Sequence, residues 1–138
     1  MPRRLLAAVA TILLVAACGG TADSDPITAG RTIYGDRCSS CHGSSGGGGI
    51  GPDLHTVLTT WPACAAHIEW VTIGSDGWTA AHGDTYGATN KPVTGGMPAH
   101  GTLLQPVEIA QVAAFERVQF GDGGRDAVLA DCGLPPTP

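Results

Sequence analysis

The sequence predicts a single all-α domain with three to four main helices joined by long loops. Three separate stretches carry apolar residues at the spacing of an amphipathic helix. The 21 glycines and 10 prolines indicate that much of the remaining chain is turn and loop. A length of 138 residues fits one domain. These features exclude a large multi-domain enzyme, a polytopic membrane protein and a collagen-like fibre.

Residues 1–17 have the features of a signal peptide. Arg3 and Arg4 precede an apolar run that is too short for the roughly 20 residues needed to span a bilayer. The run ends in Val15-Ala16-Ala17-Cys18, which resembles a bacterial lipobox and implies cleavage before Cys18 and lipid on its sulfur. An ordinary secretory signal is the alternative; the arginine pair also permits a twin-arginine signal, but the residues around the pair do not support it. Each of these predicts an exported protein, and the lipobox reading makes residues 18–25 a lipid-anchored tether.

The charge balance excludes nucleic acid as a partner. The chain has 7 Lys and Arg residues against 12 Asp and Glu residues. Two arginines leave with the signal peptide, so the mature net charge is about 5 − 12 = −7. A nucleic-acid-binding protein needs a basic surface, whereas this acidic surface favours a basic docking partner.

The chemistry is concentrated in Cys38-Ser39-Ser40-Cys41-His42, which has the C-x-x-C-H spacing of c-type haem attachment. The two thiols would form thioethers with the haem vinyl groups, and the following histidine would be held at the iron. A redox C-x-x-C of thioredoxin type would need a preceding strand, but a helical pattern precedes this motif. A zinc site would need further ligands at metal-binding spacing, and the sequence has no second C-x-x-C or C-x-x-H.

A sixth iron ligand is predicted in a rigid loop. Met97 is the one methionine that remains after Met1 leaves with the signal, and it lies in Gly95-Gly96-Met97-Pro98. Methionine is usually a flexible filler of cores. Glycines before it and proline after it argue against a helix at this position and favour a loop that presents the thioether.

Four segments in this order resemble the bacterial class I monohaem cytochromes c. They are Gly30-Arg31-Thr32-Ile33-Tyr34, the haem motif, Gly51-Pro52-Asp53-Leu54 and Gly96-Met97-Pro98. The resemblance spans about residues 25–121. It implies the class I cytochrome c fold, with the helices around one covalently attached haem. We therefore assign residues 26–132 to a cytochrome c domain and residues 133–138 to a Pro-rich tail.

The resemblance also implies the site. Cys38 and Cys41 hold haem c, and His42 and Met97 bind its iron. The carbonyl of Pro52 accepts a hydrogen bond from Nδ1 of His42, which would fix the orientation of the imidazole. The other histidines are expected at the surface or behind the ligands, with His100 as a candidate replacement for Met97. They are His55, His67, His82 and His100.

Each helix has its own sequence features. Asp25 and Pro26 predict the start of a first helix over residues 26–38. Residues 62–73 predict a third helix, residues 74–96 a long irregular loop, and residues 106–120 a C-terminal helix. The resemblance implies that Gly30 lies where the first and last helices cross, with Tyr34 against Phe115. Trp61, Trp70 and Trp78 are expected either in the core or against the haem.

Cys64 and Cys132 remain after the other cysteines are assigned. Export would place them in an oxidising compartment, where two unassigned thiols are expected to form a disulfide. This bond would hold the C-terminal extension against the third helix.

One-electron transfer is the function that these features predict, so the protein is expected to be an electron carrier and not an enzyme. It would shuttle electrons between membrane-bound redox partner proteins on the outer side of the cytoplasmic membrane, facing the periplasm or the cell exterior, with lipid at Cys18 as its anchor. One alternative is a haem c subunit permanently attached to a dehydrogenase or oxidase complex. A second alternative is a ligand sensor or peroxidase-like protein, which would need an open sixth position on the iron.

Overall fold

The structure is a computed structural model that describes residues 25–136. The predicted signal peptide, the lipid attachment at Cys18 and most of the tether lie outside the described residues, as do the last two residues of the predicted tail. Within the described part of the chain, no helix is long and apolar enough to cross a membrane.

Six helices and one two-stranded sheet follow one another along residues 25–136. The elements are α1 (Pro26–Arg37), α2 (Ser39–His42), α3 (Val57–Thr60), α4 (Cys64–His82), β1 (Thr85–Tyr86), β2 (Lys91–Pro92), α5 (Pro106–Gln119) and α6 (Arg125–Asp131). The strands are antiparallel and pair Thr85 with Pro92 and Tyr86 with Lys91. The prediction of an all-α fold with three to four main helices is confirmed.

The first helix begins where the sequence predicts it. The Asp25 carboxylate accepts a hydrogen bond from the backbone N–H of Thr28 at 3.0 Å, and Pro26 occupies the first helical position. Asp25 also forms an ion pair with Arg125 on α6. The start of the domain is therefore tied to α6.

The crossing of α1 and α5 is the most extensive contact between two elements of the fold. It depends on Gly30, because a Cβ built at this position would lie 2.1 Å from the backbone oxygen of Gln111. Tyr34 packs beside this crossing, with its ring centroid 5.4 Å from that of Phe115. The contact predicted for these two rings is confirmed. Phe120, which follows α5, lies still closer to Tyr34, at 5.0 Å between centroids.

The helix predicted for residues 62–73 is longer than the sequence pattern indicates, so the prediction that it ends at Ile73 is wrong. Helix α4 continues to His82 across a break at Gly74, where φ is 67° and ψ is −176°. Glycine adopts this left-handed φ without steric cost, so the chain changes direction and the helix resumes. The irregular segment predicted for residues 74–96 is therefore shorter, and it includes the small sheet.

The C-terminal extension folds back onto the rest of the domain through α6, an element that the sequence analysis did not predict. Val128 and Leu129 of α6 are buried in the same core as α1 and α5. Arg117 of α5 is buried and donates hydrogen bonds to the backbone oxygens of Trp61 and Pro62 and to the Asp131 carboxylate. Burial lowers the pKa of the Arg117 guanidinium, and the Asp131 charge opposes that shift.

The predicted disulfide partners are neighbours in the fold. The Cα atoms of Cys64 and Cys132 are 5.2 Å apart, a separation that allows a disulfide. We expect a mass spectrum of the unreduced protein to show a loss of two hydrogens at this pair. The bond would close 68 residue steps, which corresponds to about 4 kcal/mol of stabilisation in the chain-entropy treatment. Alkylation of both cysteines without prior reduction would contradict this pairing.

Candidate functional site

One cavity collects all five residues that the sequence analysis assigns to the site. It has a volume of about 450 Å³ and lies between the end of α1, helix α2, residues 50–54, helix α4 and the loop before α5. Its walls include Cys38, Cys41, His42, Pro52 and Met97. Ile50 also lines the cavity and is 89% exposed. The volume falls within the roughly 300–1,000 Å³ that is usual for cofactor sites.

Cys38 lies between α1 and α2, and Cys41 lies within α2. The carbonyl of Cys38 accepts hydrogen bonds from the backbone N–H groups of Cys41 (3.1 Å) and His42 (3.0 Å). This single turn places two free thiols and an imidazole along one wall of the cavity. No strand precedes the motif in the described residues, as a thioredoxin-like setting would require.

The electrostatics of Cys38 also oppose a redox C-x-x-C. Burial, together with the nearby charges of Glu116 and Cys41, raises the pKa of this thiol to about 12. A catalytic or redox-active cysteine needs the opposite shift, because the thiolate is the reactive form. The zinc alternative also lacks support, since no three His, Cys, Asp or Glu side chains are grouped as metal ligands in residues 25–136.

His42 is held by the glycine-rich loop that follows it. Its Nδ1 lies 2.9 Å from the carbonyl oxygen of Pro52, which leaves Nε2 as the ring nitrogen available to a metal. The loop is tied back to the motif, since Gly48 N–H donates to the His42 carbonyl and Gly51 N–H donates to the Cys41 carbonyl. A Cβ at Gly51 would lie 2.9 Å from the imidazole. The hydroxyl of Tyr34 also holds this loop, by donating a hydrogen bond to the Gly43 carbonyl at 2.5 Å.

Met97 is positioned by the break in α4. Because the helix is interrupted at Gly74, the carbonyls of Val71 and Thr72 accept hydrogen bonds from the loop, namely from His100 N–H and Gly101 N–H, each at 3.0 Å. Ser75, the residue after the break, donates its N–H to the Met97 carbonyl at 3.0 Å. A Cβ at Gly74 would lie 2.6 Å from that same carbonyl oxygen. The loop that carries Met97 is therefore fastened directly to the helix.

This role of Gly74 and Ser75 was not predicted from the sequence. The indication in the sequence is a glycine–serine pair directly after a helical pattern, where both residues weaken helix propensity. The composition of the loop alone could not show which carbonyls it would meet.

Tryptophan side chains form the wall of the cavity beside α4. Trp61 and Trp70 line it, with centroids 5.6 Å apart, and Tyr86 stacks on Trp70 at 4.6 Å. The indole N–H of Trp78 donates instead to the carbonyl of Thr85 at 2.9 Å. Trp78 is thus a core residue that supports the small sheet, whereas Trp61 and Trp70 face the cofactor space.

The remaining histidines divide into an exposed pair and a buried pair. His55 and His82 are exposed and contact carboxylates, those of Asp53 and Glu69 respectively. His67 and His100 are buried, line the cavity and each have an Nδ1 without a hydrogen-bond partner among the described residues. Burial lowers the pKa of His100, and the positive charge of Arg37 contributes in the same direction.

These features fit a haem. Two free thiols stand three positions apart at the wall, and an imidazole is oriented by a carbonyl as metal-bound histidines usually are. A thioether lies in the same cavity, on a loop fastened by three backbone hydrogen bonds. The glycine at position 51 keeps the space beside the imidazole free, since a side chain there would contact the ring.

Comparisons with known proteins agree with this description. A family model described as Cytochrome c matches residues 27–115. A cbb3-type cytochrome c oxidase subunit FixP from Azorhizobium caulinodans is 30% identical over 105 residues, which is 75% of this chain and 33% of that protein. The FixP of Sinorhizobium medicae is 31% identical over 90 residues, or 64% of this chain and 28% of that protein. This chain thus spans about a third of the length of these relatives.

A solved structure also resembles the chain. It is a cytochrome cL from Methylophaga aminisulfidivorans, with 20% sequence identity and a TM-score of 0.48. The match covers 85% of this chain and 71% of that one.

Proposed function

The chain belongs to the cytochrome c family, and from that premise we propose that it is a one-electron carrier with His42 and Met97 as the axial ligands of its haem iron. The family carries a covalently attached haem c and transfers electrons through its iron. When bound, the haem supplies an iron that alternates between ferric and ferrous states.

Each site residue has a distinct task in this proposal. Cys38 and Cys41 anchor the cofactor through thioether bonds. Pro52 keeps the proton on Nδ1 of His42, so that Nε2 presents its lone pair to the metal. Met97 provides a neutral thioether, which favours the ferrous state and raises the potential. Trp61 and Trp70 line the cavity with apolar rings, and an apolar wall would disfavour the extra charge of the ferric state.

The observation that carries the proposal is the convergence of this ligand set on one cavity. Residues separated by as many as 59 positions, from Cys38 to Met97, line the same space. Both ligand-bearing segments are held by backbone hydrogen bonds. In the first, Gly51 N–H donates to the Cys41 carbonyl, and in the second, Ser75 N–H donates to the Met97 carbonyl. A preorganised ligand set keeps the geometry of the site similar in both oxidation states, and electron transfer benefits from that small rearrangement.

Replacing both Cys38 and Cys41 by alanine tests the attachment. We expect the wild-type protein, matured with a c-type haem-attachment system, to keep haem through denaturing electrophoresis and acid–acetone extraction. The double variant should lose it completely, because no thioether can form. Replacing Ser39 and Ser40 by alanine is the matched control and should keep full covalent haem. Covalent haem in the cysteine double variant would contradict the proposed attachment.

A second candidate function is a haem-bearing subunit of an oxidase complex. Its support is the similarity to oxidase subunits named FixP, which extends over only about a third of those proteins. Purification from membranes in mild detergent distinguishes the candidates. A fixed subunit would copurify with oxidase proteins at a constant ratio through high salt, whereas a mobile carrier would separate from them. Transient docking at a small interface is typical of electron carriers.

We also propose export and lipid attachment at Cys18. The support is the lipobox-like segment Val15-Ala16-Ala17-Cys18 together with haem c, which is attached outside the cytoplasm. Lipid would hold the carrier at the membrane surface near membrane-bound redox partners and raise its local concentration there.

A further inference from the structure

Arg117 of α5 holds the backbone that carries part of the wall of the haem cavity. Its guanidinium donates hydrogen bonds to the carbonyl of Trp61 at 2.6 Å and to the carbonyl of Pro62 at 3.0 Å. Trp61 lines the cavity and is buried. Because Arg117 is buried as well, it needs hydrogen-bond and charge partners to offset its lost hydration. Two of these partners are consecutive carbonyls in the short segment between α3 and α4.

The charge partner of Arg117 is Asp131, at the end of α6. Nη2 of Arg117 lies 2.9 Å from Oδ2 of Asp131, and the same oxygen accepts the backbone N–H of Cys64 at 2.9 Å. Cys64 is the first residue of α4, and Ala63 before it makes no side-chain cap. N–H groups in the first turn of a helix have no partner within that helix. One carboxylate oxygen therefore caps α4 and holds the arginine.

These contacts act on both tryptophans that face the cavity. Trp61 precedes α4, whose backbone at Cys64 is held by Asp131, and Trp70 lies in the second turn of α4. The Trp61 ring is 5.6 Å from that of Trp70 and stacks on Tyr86 at 5.7 Å between centroids. A shift at the start of α4 would therefore move these rings relative to the cavity.

The contacts come from a part of the chain beyond the residues that the family model matches. That match ends at residue 115, whereas Arg117 and all of α6 follow it. Within the C-terminal extension, which we define as residues 121–136, Val128 and Leu129 are buried in the core with α1 and α5. Membership of the family therefore does not account for the connection between this extension and the cavity wall.

We propose that Asp131 is a positioning residue of the haem site, which acts through Arg117 and the first N–H of α4 to hold Trp61 against the cofactor and to raise its midpoint potential. The inference rests on the proposed function. An apolar ring held at the cofactor disfavours the extra positive charge of the ferric state. When the wall is released, water approaches the cofactor, the ferric state is less disfavoured and the potential falls.

The test compares the midpoint potentials of haem-bearing Asp131→Ala and Asp131→Asn. Both variants lose the same negative charge, so the direct effect of that charge on the potential is the same in each. Asparagine keeps a side-chain oxygen that can accept from Arg117 and Cys64, whereas alanine has no acceptor. We expect a lower potential in Asp131→Ala than in Asp131→Asn, because only alanine releases the wall. Equal potentials, or a higher potential in Asp131→Ala, would overturn the proposal.

Nuclear magnetic resonance of the same variants reports the position of Trp61. Resonances near the iron differ between the ferric and ferrous protein by an amount that depends on where each proton lies relative to the metal. We expect Asp131→Ala to change this difference for the Trp61 ring and Asp131→Asn to keep it. Trp78 is the internal reference, because it lies beyond the break at Gly74 and its indole N–H is bound to Thr85. Equal changes at both rings, or no change at Trp61, would overturn the proposal.

Val128→Ala is the control for stability. Its side chain is buried in the core and forms no hydrogen bond, so its truncation should lower the thermal midpoint and keep the wild-type potential. A potential as low as that of Asp131→Ala in this variant would overturn the proposal and assign the effect to the stability of α6. A protein without covalent haem would contradict the proposed function, whereas a haem protein in which both Asp131 variants have one potential would contradict this inference alone.

Discussion

Replacing Met97 by alanine is expected to remove the weak far-red band of the oxidised protein and to lower its midpoint potential. The far-red band reports a methionine sulfur bound to ferric iron, and the thioether is the ligand that favours ferrous iron. Axial ligands set haem potentials over a range of roughly 0.8 V, so we expect a decrease on the order of 0.2 V. Absorption spectroscopy and potentiometric titration measure the two effects. The reduced variant should also bind carbon monoxide at neutral pH.

His100→Gln is the control for this prediction. His100 is buried in the same cavity, three residues after Met97, and its Nδ1 has no partner among the described residues. It is therefore a candidate to replace the thioether. We expect His100→Gln to keep the far-red band, because its sulfur ligand is intact. Loss of the band in His100→Gln, or its retention in Met97→Ala, would contradict the assignment of Met97.

Replacing Gly30 by alanine is expected to destabilise the domain by about 3 kcal/mol, near the upper end of the range for overpacked cores. The added methyl group would meet the backbone of Gln111 and the Cβ of Phe115, at 2.1 Å and 2.8 Å. Backbone cannot move aside as a flexible side chain can, so α1 and α5 must separate. We expect the thermal midpoint of the haem-bearing protein, followed by circular dichroism, to fall by more than about 10 °C.

The matched control lies five residues along the same helix. Gly35 is exposed, and a Cβ there would meet no atom within 4 Å. Alanine is the better helix former, so Gly35→Ala should be neutral or stabilising by up to about 1 kcal/mol. Equal thermal midpoints for the two variants would show that helix propensity, and not the close approach at Gly30, determines the effect.

Local features of the sequence predicted the parts of the fold that depend on local interactions. Asp25 and Pro26 define the start of α1 because capping and the fixed φ of proline act within one turn. The crossing at Gly30 followed from the family resemblance, and the Tyr34–Phe115 contact followed with it. The end of α4 was predicted wrongly, because Gly74 begins a segment with six glycines and no clear helical period. Here the Met97 loop supplies hydrogen bonds that allow the helix to continue beyond Gly74.

In the candidate site, too, the local motifs could be predicted and the contacts between distant segments could not. Cys38, Cys41 and His42 can be identified from their motif, because haem attachment requires particular residues at short spacing. Met97 was predicted from its glycine- and proline-flanked loop, and Pro52 from the family resemblance. The hydrogen bonds of the Met97 loop to Val71 and Thr72 depend on how distant segments pack, and no local pattern encodes them. The same holds for the hydrogen bond from Arg117 to the carbonyl of Trp61, which joins residues 56 positions apart.

The absorption spectrum of the matured protein, oxidised and reduced, tests the central claim most directly. Coordination by His42 and Met97 predicts a sharp low-spin α-band in the ferrous protein and a weak far-red band in the ferric protein. A c-type spectrum that lacks the far-red band at neutral pH would contradict ligation by Met97. In that case the sixth ligand would be a histidine or water, and an open or exchangeable position would favour ligand sensing over electron transfer.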